Sequence, residues 1–199
     1  MYRMIPLVNS HISPPIALRD RFLGGQEFED MLASAQKNAE LWAGVWRRAT
    51  APIAFVDRVN ALPGAWHLLV LSADWCGDAV NTLPAIARLA ELSTNTDLRV
   101  LERDANLDLM DAHLTGTSRS IPVVIVLDAD YVERGWWGPR PYELQRWVLN
   151  EGQALEKSER YKHVRGWYAR DRALTTLEEV VSVMERAAAS SAPAAPIPA

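Results

Sequence analysis

Trp66-His67-Leu68-Leu69-Val70-Leu71-Ser72 is a nearly continuous apolar run, and after a short turn a helical pattern begins at Ala79 and continues to Leu92. An unbroken run without alternation is what a strand covered on both faces requires, so helices must lie above and below its sheet. Leu98–Glu102 and the mostly β-branched Val123–Leu127 read as further strands, with a short helix at Leu107–Leu114. Asp128-Ala129-Asp130 turns into Tyr131–Arg134, which reads as an antiparallel edge strand. Helices follow over Pro141–Glu151 and Leu174–Ala189. The order β-α-β-α-β-β-α predicts an α/β fold with a mixed central sheet flanked by helices.

Upstream, Phe28, Met31, Leu32, Ala35, Ala39, Trp42, Val45 and Trp46 recur at helical spacing, predicting one helix from Gln26 to Ala49. A shorter one spans Ile53–Leu62 and stops at Pro63-Gly64. The expected organisation is a helical extension over 1–62 and an α/β core over 63–152. A basic segment with a C-terminal helix follows over 153–189, then a disordered Ala/Pro/Ser-rich tail over 190–199. Residues 1–15 read as an extended lead-in.

Cys76 is the one cysteine among 199 residues, which excludes an intramolecular disulfide and a zinc site built on several thiolates. His11, His67, His113 and His163 form no pair at metal-ligand spacing, so no metal is expected. Asp104, Asp108 and Asp111 lack the calcium-loop pattern and read as surface charges, as Asp74 reads as a solvated turn residue. No segment approaches the roughly 18 apolar residues that span a bilayer, and no apolar leader follows Met1. A free thiol and no membrane partner predict the cytoplasm.

Net charge is -4, and this argues against nucleic acid as a partner. One stretch opposes that sign: Arg160, Lys162, Arg165, Arg170 and Arg172, interleaved with Tyr161, Trp167 and Tyr168. It reads as a solvated face anchored by its aromatics, or as a cluster that attracts an anionic thiol.

Cys76 falls between strand end and helix start, where unpaired N–H groups and the helix dipole stabilise a thiolate. Asp78 opposes this by like-charge repulsion unless it turns outward as a cap, so the sign of the net effect is open. Trp75-Cys76-Gly77-Asp78-Ala79 resembles the Trp-Cys-Gly-Pro-Cys site of thioredoxins. Pro84, Ile121-Pro122 and Gly138 match the family's helix-kinking proline, cis-proline loop and later glycine, and the resemblance covers about residues 60–150. It implies a thioredoxin-like fold, with Cys76 as nucleophile and Trp75, Gly77, Asp78, Ile121 and Pro122 as the binding site. Ala79 stands in place of the resolving cysteine, and Val70 in place of a buried carboxylate. The chain is thus similar to a monothiol branch with Trp-Cys-Gly-Asp. Beside iron–sulfur cluster sharing between two chains with glutathione, two functions stay open. One is monothiol exchange with a protein or low-molecular-weight thiol or disulfide, needing no cofactor, with glutathione as one candidate resolving thiol. The other is a redox-silent module that binds a peptide or protein. Trp136-Trp137 reads as packing of the edge strand against the N-terminal helices, or as an aromatic groove wall.

Overall fold

The computed structural model describes residues 15–191. The lead-in over 1–14 and the tail over 192–199 lie outside them. Four short helices come first: α1 (Pro15–Leu23), α2 (Phe28–Ser34), α3 (Ala39–Trp46) and α4 (Ile53–Asn60). Then follow β1 (Trp66–Ser72), α5 (Gly77–Leu92), β2 (Thr96–Glu102), α6 (Leu107–Asp111), β3 (Val123–Leu127) and β4 (Glu133–Trp137). Three α-helices complete the described chain, α7 (Tyr142–Leu149), α8 (Lys157–Asp171) and α9 (Leu174–Ser191), with a short 3-10 helix at Glu151–Ala154 between the first two.

The sheet has the order β2-β1-β3-β4, with β1 parallel to β2 and the other two pairs antiparallel. Every residue of β1 and β3 is buried, as the apolar runs require. Side chains alternate across the sheet. On one face Gly135 lies against Val183 and Trp137 against Glu179, both on α9. On the other, His67 meets Phe22 of α1 and Trp136 meets His113, just past α6. The expected mixed α/β sandwich is present.

Details depart from the sequence reading. The helix expected over Gln26–Ala49 is two helices. Its apolar spacing runs straight through a break at 35–38, where Ala35 is extended and Asn38 is left-handed at φ 55°. α1 occupies a stretch left unassigned, and α8 forms where only a basic segment was read, because its charges mask any apolar stripe. Ser190 and Ser191, placed in the tail, are helical. The edge strand begins at Glu133, since Tyr131 sits in the turn at φ 61°. Trp137 packs on the C-terminal helix, not on the N-terminal helices.

Gln26 exchanges both backbone hydrogen bonds with Val100, at 2.9 and 2.8 Å, so the extension covers the outer edge of β2. Arg58 of α4 spans Glu178 and Glu185 of α9 at 2.7 and 2.8 Å. These pairs are partly exposed and fix orientation more than they stabilise.

His67 is buried, stacked on Tyr131 at 4.3 Å, and its Nδ1 has no partner. Burial holds its pKa below the ordinary imidazole value despite the opposing pull of Asp97 and Asp128. A falling pH therefore protonates the unfolded chain first, and the stability present above the ordinary value is lost below it. Urea denaturation between about pH 7 and 5 should show declining stability, with a flatter profile in His67→Phe. Equal slopes would remove His67 as the cause.

Candidate functional site

β1 ends at Ser72 and α5 begins at Gly77, so Trp75 and Cys76 lie in the turn between them. Cys76 is the N-cap of α5: the Ala79 N–H donates to its Sγ at 3.5 Å. From the other side, the Cys76 thiol donates to the Ile121 carbonyl at 3.3 Å, and the Ile121–Pro122 peptide is cis. The structure thus brings Cys76, between Trp75 and the Gly77-Asp78 start of α5, against Ile121 beside Pro122, 45 positions away along the chain.

The thiol is buried, with 6% of the residue exposed. Burial pushes its pKa up, the Ala79 N–H pulls it down, and Asp78 pushes it up again. The question left open by the sequence therefore resolves upward: at rest Cys76 is a protonated thiol bonded to a carbonyl. Trp75 is 47% exposed, with the Arg103 guanidinium 4.7 Å from its ring centroid. A Cβ on Gly77 would meet nothing within 4 Å, so the backbone here is open.

Asp78 does not cap the helix. Its Oδ2 pairs with Arg140 Nη2 at 2.6 Å, and its Oδ1 accepts the Tyr168 hydroxyl at 2.9 Å. Gln145 Oε1 accepts from Arg140 Nη1 at 2.8 Å, while Arg140 Nε is buried without a partner. Burial works against the charge on Arg140, but Asp78 beside it raises its pKa overall. Burial, then Asp78, raises Tyr168, which therefore stays a phenol.

Arg140 and Tyr168 were not legible as site residues. The available signal was Asp78 itself: a carboxylate beside a buried motif needs a cation and a donor, wherever in the chain they lie. Tyr168 comes from the basic stretch read as a solvated face or an anion-attracting cluster, and is its anchor in the core.

Asp74 departs from its reading as a solvated turn residue. Its Oδ2 accepts the Gln36 and Lys37 N–H groups at 2.9 and 2.8 Å, and its carbonyl accepts Trp42 Nε1–H at 2.9 Å. The break between α2 and α3 is built around this carboxylate. The extension also helps wall a cavity of about 470 Å³ that Trp75 borders, with Met31, Ala35, Ala73 and Leu101 supplying apolar lining. Among the described residues no group of three or more His, Cys, Asp or Glu can hold a metal. Nor is any described helix long and apolar enough to cross a membrane.

A mixed sheet with a buried thiol at the first residue before a helix, facing a cis X-Pro loop, defines the thioredoxin-like class. A family model described as thioredoxin matches residues 25–162, and the chain belongs to that family. Among solved structures, a protein of unknown function from Pseudomonas aeruginosa has a TM-score of 0.68 at 22% identity, with 85% of this chain and 98% of that one covered. An HIV epitope scaffold has a TM-score of 0.65 at 18% identity, with 84% and 96% covered. These likenesses are of fold. No curated protein matches the chain.

Proposed function

We propose that this thioredoxin-family protein carries out monothiol thiol–disulfide exchange through Cys76. The observation that carries this reading is the position of the sulfur, held between the Ala79 N–H at the start of α5 and the Ile121 carbonyl beside cis-Pro122. Trp75, Gly77, Asp78, Ile121 and Pro122 line the docking edge.

Cys76 gives up its proton, and the thiolate attacks one sulfur of a substrate disulfide. A new S–S bond forms, the old one breaks, and the second substrate sulfur leaves as a thiolate that takes up a proton. With one cysteine in the chain, an external thiol must attack the mixed disulfide. A first external thiol, from glutathione or a protein, attacks the Cys76 sulfur, so the remaining substrate sulfur leaves as a thiolate that takes up a proton. Cys76 is left disulfide-bonded to that thiol. A second external thiol attacks the first one's sulfur, forming their disulfide and releasing Cys76 as the thiol. No resident cofactor is needed, and a reducing cytoplasm suits the cycle.

Burial makes the resting thiol a slow nucleophile, and this favours a second reading: a redox-silent thioredoxin-fold module that holds a peptide or protein partner in the same groove. One experiment separates them. Folded protein is incubated with oxidised glutathione and weighed by mass spectrometry, beside Cys76→Ser and the urea-unfolded chain. Exchange predicts one glutathione adduct on the folded wild type and none on Cys76→Ser. A folded protein that stays unmodified while the unfolded chain reacts would sink exchange and leave the binding module. The rate should rise with pH, with a midpoint above the roughly 8.5 of a free thiol.

A further inference from the structure

We propose that Arg140, Asp78 and Tyr168 are positioning residues for Cys76, forming a charged clasp closed by α8 that controls how readily the thiol gives up its proton. This deepens the exchange reading and rests on Cys76 being its reacting group.

Three separate parts of the chain build the clasp. Asp78 lies in the first turn of α5, two residues after the thiol. Arg140 arrives on the loop after β4. There Gly138, at φ +139°, lies so close to Pro122 that a Cβ would stand 2.1 Å from the Pro122 carbonyl oxygen. The loop that presents Arg140 is therefore seated on the same cis-proline segment whose Ile121 carbonyl holds the thiol. Tyr168 comes from α8, beyond the family match that ends at residue 162. Both ends of the ion pair are largely buried, with 13% of the Asp78 and 22% of the Arg140 side chain exposed.

Buried charges this close act on a neighbouring sulfur with little screening. Asp78 repels a thiolate and Arg140 attracts it, while Tyr168, un-ionised, fixes the carboxylate by donating to it. These are the titratable groups facing Cys76 from α5, the β4–α7 loop and α8. Paired with Asp78, Arg140 offsets part of its repulsion, so what that pair leaves uncancelled adds to the effect of burial on the sulfur. Any event that draws Tyr168 or Arg140 off Asp78 changes the ionisation of Cys76 without touching the sulfur.

The test is the pH dependence of Cys76 ionisation, followed by thiolate ultraviolet absorbance and by iodoacetamide alkylation. Wild type, Asp78→Asn, Arg140→Gln, the double variant and Tyr168→Phe are compared. Asp78→Asn should lower the midpoint by about one unit or more, and Arg140→Gln should raise it by a smaller amount. The double variant should return toward wild type, because it removes both charges. Tyr168→Phe should shift it less than either single charge change. Superimposed profiles, or both single charge variants moving the same way, would overturn the clasp, since loosened packing moves both in one direction. Should Arg140→Gln fail to fold, Arg140→Lys takes its place. It keeps the charge and should stay near wild type while Asp78→Asn still falls, and a shift in Arg140→Lys equal to that of Asp78→Asn would refute the assignment. The readout is ionisation, not turnover. A protein that never exchanges disulfides can still show the clasp, and an exchanging protein can lack it.

Discussion

Gly138→Ala should lose about 4 kcal/mol or more of stability, a drop in Tm of about 8 °C or more for a chain of this size. The residue sits at φ +139°, where L side chains rarely go. The added Cβ would lie 2.1 Å from the Pro122 carbonyl oxygen and 3.2 Å from the Val123 Cα. Neither neighbour is a flexible side-chain end. Both belong to the backbone entering β3, which is buried throughout, so relief requires moving the cis-proline loop off the sheet. Gly77→Ala is the matched control, because its Cβ meets nothing within 4 Å, and it should melt within a degree or two of wild type. Differential scanning calorimetry reads both. A Gly138→Ala protein with an unchanged Tm would mean that the loop yields freely, and that the seating of Arg140 over the site is soft.

Trp42→Ala should cost about 3–5 kcal/mol in urea denaturation, from the transfer and cavity terms of a large buried aromatic. Trp42 has no exposed surface, packs edge-on to Phe28 at 6.2 Å and donates to the Asp74 carbonyl. Removing it empties the contact between the extension and the turn that carries Trp75. Trp42→Phe keeps most of the volume and loses the donor, so a loss of about 1–2 kcal/mol is expected there. If Trp42→Ala unfolded like wild type, the extension would be an appendage and not part of the core.

The strands were legible because burial on both faces leaves a one-dimensional trace: β1 and β3 are apolar runs whichever partners they pair with. The thiol, its turn and the cis-proline segment were legible for a similar reason, since each is a local pattern next to a strand. Helix limits were less so. Apolar spacing over 28–46 stays in phase across the break between α2 and α3, and the Asp74 carboxylate that accepts the N–H groups of Gln36 and Lys37 there lies 37 residues from Lys37. α8 carries too many charges to show a stripe, yet one tyrosine on it reaches the site.

By itself the sequence determined the class of fold, the placement of a lone thiol at a helix start, and the lack of a second cysteine among its 199 residues. Tertiary structure alone decided what state that thiol rests in. Backbone amides at a helix start are local and favour a thiolate, but burial beneath the Ile121 loop and the charges of Asp78 and Arg140 are set by segments up to 64 residues from Cys76. Desolvation and Coulomb interactions depend on distance in space, which chain order does not record.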